Sequence, residues 1–254
     1  MKFLYPLFFF IFFSINAQDS RDAFAIIKGN PKEYKETWYA AKKTKAGFVK
    51  GKYLHDDVYN INAYGEIVKQ SFMPPEKWEV PQTSYNKDNQ KIETINYNEE
   101  GGIKDRTKFL YDKNKLVEEK IYGDSDTLFV SNKYEYLNNL VVKKLEFRAE
   151  KGVFKSTPSE ITTYEYDSKN NIIVEFIALE DEYVAFAYKY DDKNFMTEVH
   201  SKSSFPVREK EFSISIRYNY QKYDLNNWTE VYVEDDLSSD RKPSYYFIQR
   251  EFKY

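Results

Sequence analysis

The sequence predicts an all-β protein: an antiparallel sheet built from about seven successive β-hairpin repeats, open and curved or partly rolled. Three observations predict it. Aromatic residues make up 19% of the 254 residues, with 24 Tyr and 20 Phe against 8 Gly and 8 Pro, a composition that suits half-buried pleated strands and opposes disorder. A tyrosine followed by a short Asp/Asn/Lys stretch and a bulky apolar residue keeps returning, as in "YDKNKLVEEKI" from Tyr111, "YDSKNNIIVEF" from Tyr166, "YDDKNFMTEV" from Tyr190 and "YDLNNWTEVYV" from Tyr223. After each polar stretch the pattern alternates with a period of two, as strands do and helices do not.

The elements follow in chain order. Residues 1–17 read as a signal peptide: Lys2 precedes an apolar run from Phe3 to Phe13, and Ser14 to Ala17 lead to a cut that leaves Gln18 at the new terminus. A spanning helix needs about 20 apolar residues, so a retained anchor is the weaker reading. Residues 18–32 form a lead-in, which could hold a helical turn. A single repeat domain then occupies 33–254. It opens on the alternating segment Glu33 to Lys43, with Trp38 and Ala40 on one face and Tyr39 and Ala41 on the other.

Seven units follow, beginning at Tyr59, Tyr85, Tyr111, Tyr136, Tyr166, Tyr190 and Tyr220 and spaced by 26, 26, 25, 30, 24 and 30 residues. That length accommodates two strands and two turns. Asn and Asp tolerate positive φ and bond their own backbone, which tight hairpin turns require. One large residue past each turn is expected to anchor the returning strand on the core face and fix its register: Ile67, Ile92, Leu116, Leu140, Ile172, Phe195 and Trp228. Alternation from Trp228 puts Glu230 and Tyr232 on its face and Thr229, Val231 and Val233 on the other. Proline or acidic stretches at 73–81, 201–209 and 234–243 read as surface connections, and Ser244 to Tyr254 closes the series as an edge or capping strand.

These tyrosine-aspartate units resemble the repeats of the rearrangement-hotspot (Rhs) superfamily, and more closely the diverged repeats of short secreted bacterial proteins that end in a strand like "REFKY". The resemblance spans roughly residues 33 to 254. It implies a β-hairpin repeat fold and leaves function open. The glycine usual after the turn is replaced by Asn171, Asn194 and Asn227, and the shell that large members build around a toxin is not implied for so few units.

Net charge is −3 and the signs alternate along the chain, so no basic stripe marks a nucleic-acid partner. Cysteine is absent, which excludes a disulfide, a lipid-bearing cysteine and a thiol nucleophile or ligand. No catalytic constellation, metal site or cofactor site is expected. The segment His55-Asp56-Asp57 could contribute to a cation site but reads better as a solvated loop, and "GDSD" at 123–126 reads as a solvated turn, since neither follows a calcium-loop pattern. Trp78, in the proline-rich stretch 73–81, is the one residue proposed to touch a ligand, with capping of a sheet end as its structural alternative. The expected product is an exported, periplasmic or secreted non-enzymatic module that binds an envelope protein or glycan or serves as scaffold, without integral membrane association after signal cleavage. The alternatives are an envelope hydrolase using a carboxylate pair and an outer-membrane barrel.

Overall fold

The computed structural model describes residues 27–29, 31–63, 67–72, 81–98, 100–150, 153–204, 212–224, 227–236 and 243–254, with their side chains except at 67–72 and 212–214. The signal segment therefore lies outside the described residues, as does the part of the lead-in where a helical turn was expected.

Strands come in unbroken succession: β1 (Glu33–Thr44), β2 (Gly47–Ile61), β3 (Ile67–Phe72), β4 (Gln82–Tyr85), β5 (Lys91–Tyr97), β6 (Ile103–Asp112), β7 (Lys115–Gly123), β8 (Leu128–Leu137), β9 (Leu140–Glu150), β10 (Val153–Phe154), β11 (Glu160–Tyr166), β12 (Ile172–Ala178), β13 (Tyr183–Tyr190), β14 (Met196–Ser204), β15 (Phe212–Asp224), β16 (Asn227–Asp236) and β17 (Ser244–Lys253). Each pairs antiparallel with its sequence neighbour from β4 to β9 and from β11 to β17, β9 joins β11, and β10 is a two-residue extension paired to β9. The last strand then meets the first, Ile248 opposite Trp38, and β1 continues through β2 to β3. Among the described residues the result is one sixteen-stranded sheet with β3 and β4 at its ends. No ladder joins those two among the described residues, so the sheet is not closed, although Asn62, just past β2, donates to the Tyr85 phenol at 2.8 Å.

The repeat is a turn, a bulge and a tyrosine acting together. In the two-residue turns Lys113-Asn114 and Asn138-Asn139 every residue has positive φ, the geometry that matches strand twist. The longer turns use one design: the Asp167 carboxylate accepts from the backbone N–H groups of Lys169 and Asn171, Asp191 from Lys193 and Phe195, and Asn86 Oδ1 from Asp88 and Gln90. Asn170, Asn194 and Asn89 take the left-handed position in them. Past each turn the returning strand carries one extra residue opposite the tyrosine, so Tyr111 faces Leu116, Tyr136 faces Val141, Tyr166 faces Ile172, Tyr190 faces Met196 and Tyr223 faces Trp228.

Those bulges change which face later residues occupy. Trp228 shares its core cluster with Val231 and Val233, whereas Glu230 and Tyr232 lie on the opposite face; simple alternation assigned the reverse, because it did not count the extra residue Thr229. Ile92, expected as an anchor, is itself such an extra residue. It is 41% exposed, and Lys91 stands opposite Tyr85 in its place.

Following the registers across the sheet separates two faces. The better covered one carries Tyr34, Tyr134, Tyr188, Trp228, Val231 and Ile248, all buried, together with polar pairs such as Tyr188 Oη donating to Glu175 at 2.8 Å and Tyr134 Oη donating to Glu119 at 2.8 Å. The outer face carries ion pairs, among them Lys189 with Glu198 and Lys222 with Glu230.

Candidate functional site

Two places gather chemistry. The first lies on the outer face, beneath an arm formed by the far end of the β1–β2 hairpin. Register breaks between Trp38 and Ala41 bend this hairpin, and the bend brings the backbones so close that a Cβ on Gly51 would stand 2.8 Å from the Ala40 carbonyl oxygen. Glycine is required there for space. The arm lies over β16 and β17: Phe48 stacks on Tyr232 with centroids 5.1 Å apart, Lys50 donates to Gln249 at 2.6 Å and sits 3.5 Å above the Tyr39 ring.

Beside the arm a groove follows the outer side of β15, with Phe48 at one end, Arg217 and Asn219 along it, and Tyr223 and Asp191 at the other. At about 3.3 Å per residue, the six steps from Arg217 to Tyr223 span roughly 20 Å. A chain of alternating charges borders it: Lys189 to Glu198 at 2.6 Å, Glu198 to Arg217 at 3.0 Å, Arg217 to Glu234 at 3.7 Å and Glu234 to Lys43 at 2.9 Å. The Lys189 ammonium, joined by Arg217 and His200, holds the Glu198 carboxyl down at about 2 against the opposing effect of partial burial. Since the floor strands are paired on both sides, a guest meets side chains there and not free backbone groups. Rings at the ends and compensated charges between suit an extended ligand of low net charge.

The second place is a buried cluster on the covered face where β17, β1 and β2 run side by side. Arg250, 4% exposed, lies with its guanidinium 3.6 Å above the Trp228 ring and 5.2 Å from that of Tyr34. It donates through Nε to Glu36 Oε1 at 2.7 Å and brings Nη2 within 2.6 Å of the same oxygen, while the Trp38 indole N–H reaches Glu36 Oε2 at 3.3 Å. Asp57 stands directly opposite Glu36. His55 Nε2 is 3.5 Å from its Oδ2, and its Oδ1 has no hydrogen-bond partner. Burial pushes the Asp57 carboxyl up, with His55 opposing and Glu36 reinforcing.

The expected site residues fall as follows. Trp78 lies outside the described residues. Trp228 is 1% exposed and Phe195 4%; Leu116, Leu140 and Ile172 are half-buried, and the Ile67 backbone pairs with Ile61. At three turns the residue facing the tyrosine is the neighbour of the expected anchor, Lys91, Val141 and Met196 in place of Ile92, Leu140 and Phe195, because turn length varies from unit to unit. His55-Asp56-Asp57 is strand and not loop: it lies inside β2, where pairing with β1 buries Asp57. Glu234 to Asp236 likewise belong to β16 and not to a surface connection. Sequence reasoning missed both the groove and the Arg250 cluster, since each depends on strands far apart in the chain. Among the described residues no three His, Asp or Glu side chains converge as metal ligands.

No protein-family profile matches the chain, and no curated protein matches it. Among solved structures the chain is similar to a porin-like protein from Bacteroides uniformis ATCC 8492, with a TM-score of 0.52 and 11% identity over 88% of this chain and 98% of that one. At that identity the likeness establishes a shared all-β sheet architecture and nothing about activity.

Proposed function

We propose that the chain is an exported, non-enzymatic β-hairpin repeat protein that works by binding, with the groove along β15 as its ligand site. The observation that carries this reading is the make-up of the outer face: paired charges from Lys189 to Lys43 flank a groove ended by Phe48 and Tyr223, on a sheet held rigid by continuous ladders. Export rests on the leader at residues 1–17. An envelope glycan or protein is the partner class that fits an exported module, and Trp78 remains a proposed second contact. Screening envelope glycans and proteins against wild type, Arg217→Ala, Tyr223→Ala and Trp78→Ala tests it. Binding that falls in the groove variants at unchanged melting temperature supports the reading; binding indifferent to both groove variants removes the groove from it.

A second reading, an outer-membrane barrel, is favoured by two observations: the last strand pairs with the first, and the similar solved structure is described as porin-like. Against it, Lys189, Glu198 and Arg217 would face lipid, at a cost of about 2–4 kcal/mol for each basic residue near the bilayer midplane. Carbonate extraction of membranes separates the two: a barrel stays in the pellet, and a binding module is released.

A further inference from the structure

We propose that Asp57, with Glu36 beside it, forms a binding site for a small organic cation bearing a primary ammonium group. The site is independent of the outer groove. Two buried carboxylates, Glu36 at 3% and Asp57 at 4% exposure, stand opposite each other, and the buried Arg250 is bonded to Glu36. Glu36 is fully engaged, taking Arg250 on one oxygen and the Trp38 indole on the other. Asp57 is not: its Oδ1 accepts nothing, and 3.5 Å to His55 is long for a hydrogen bond on its Oδ2. Among the described residues, Asp57 Oδ1 is thus left without an N–H or O–H donor.

What such a guest would meet is illustrated by the cation already in place. Arg250 is held by one carboxylate and two aromatic faces, Trp228 and Tyr34, the combination that binds ammonium groups in aromatic cages. Around Asp57 the same ingredients recur. Tyr59 is two residues along the strand and stacked on Tyr34 at 4.4 Å, and Trp38 is stacked on His55 at 5.5 Å. The His55 side chain is 40% exposed while that of Asp57 is 6% exposed, which makes the imidazole the entrance to the acid. An ammonium group is preferred to a metal ion because it needs one acid and ring faces, not three or more converging ligands.

Isothermal titration calorimetry with putrescine at fixed ionic strength tests the site. Wild type should bind saturably at millimolar concentration or tighter, and Asp57→Asn should weaken binding by about tenfold or more without lowering the melting temperature at pH 7. His55→Trp provides a test that leaves Asp57 intact: a larger ring over the entrance should block putrescine. No saturable binding by wild type, unchanged binding in either folded variant, or equal displacement of putrescine by calcium at matched ionic strength would each overturn the proposal.

Discussion

At the scale of single residues, the repeated tyrosine does more than end a strand. Tyr136 donates its phenol proton to the Leu116 carbonyl at 2.8 Å, Tyr166 to Val141 at 2.6 Å, Tyr190 to Ile172 at 2.9 Å and Tyr220 to Met196 at 2.6 Å. Each acceptor is the residue that faces the previous unit's tyrosine, so these four hairpins are each bonded to the one before. In the final unit two residues divide the task, Tyr223 facing Trp228 and Tyr220 reaching back. Tyr166→Phe should cost about 1 kcal/mol, the net worth of a neutral hydrogen bond, read as a lower urea midpoint at unchanged slope. Burial raises the phenols of Tyr166 and Tyr190 to about 12. A raised pKa means that the folded state holds these protons, so the associated stability is complete below the ordinary phenol value of about 10 and is lost as pH rises through about 12. Phenolate absorbance should show an exposed class titrating first and a protected class appearing together with unfolding. Trp228→Ala should cost about 3–5 kcal/mol, since it empties a fully buried site and removes the ring beneath Arg250; an unchanged melting temperature would contradict its place in the core.

At the scale of elements, the bulge is the feature that simple alternation hides. The tyrosine, the turn and the bulky residue were all legible in the sequence, but one extra residue per return strand reverses the face of everything after it, and no residue type marks a bulge by itself. Thr229, Thr197 and Ile173 are chemically unremarkable in that position. The arm of β1 and β2 depends on a different local constraint. Gly51→Ala would drive a methyl group into the Ala40 carbonyl oxygen at 2.8 Å, and both atoms are fixed by the hairpin. Overpacking of this kind costs about 1–3 kcal/mol. The effect should concentrate in the arm, seen as faster amide exchange at residues 40–52 and a lower melting temperature with little change in exchange at β8 and β9.

For the whole molecule, the outer charge chain is expected to contribute to acid sensitivity through Glu198. Glu198 falls from an ordinary value of 4.5 to about 2 on folding. Its contribution is therefore complete above about pH 4.5 and is lost as pH falls through 2. Glu198→Gln should flatten the dependence of melting temperature on pH across that window; an unaltered profile would show that the pairs with Lys189 and Arg217 contribute nothing there. Individually such surface pairs are worth little, so any effect reflects the connected chain.

The sequence by itself determined the all-β class, the succession of hairpins and their turns, because each of these follows from residues within about 30 positions of one another; the sixteen strands of the sheet exceed those of the seven hairpins expected. The tertiary structure alone decided that β17 pairs with β1, that Arg250 meets Glu36 across 214 residues, and that Lys43 and Lys50 fold back onto β16 and β17. Those contacts depend on how the sheet curves and where bulges shift its register, which are sums of small local twists that no single stretch of sequence records.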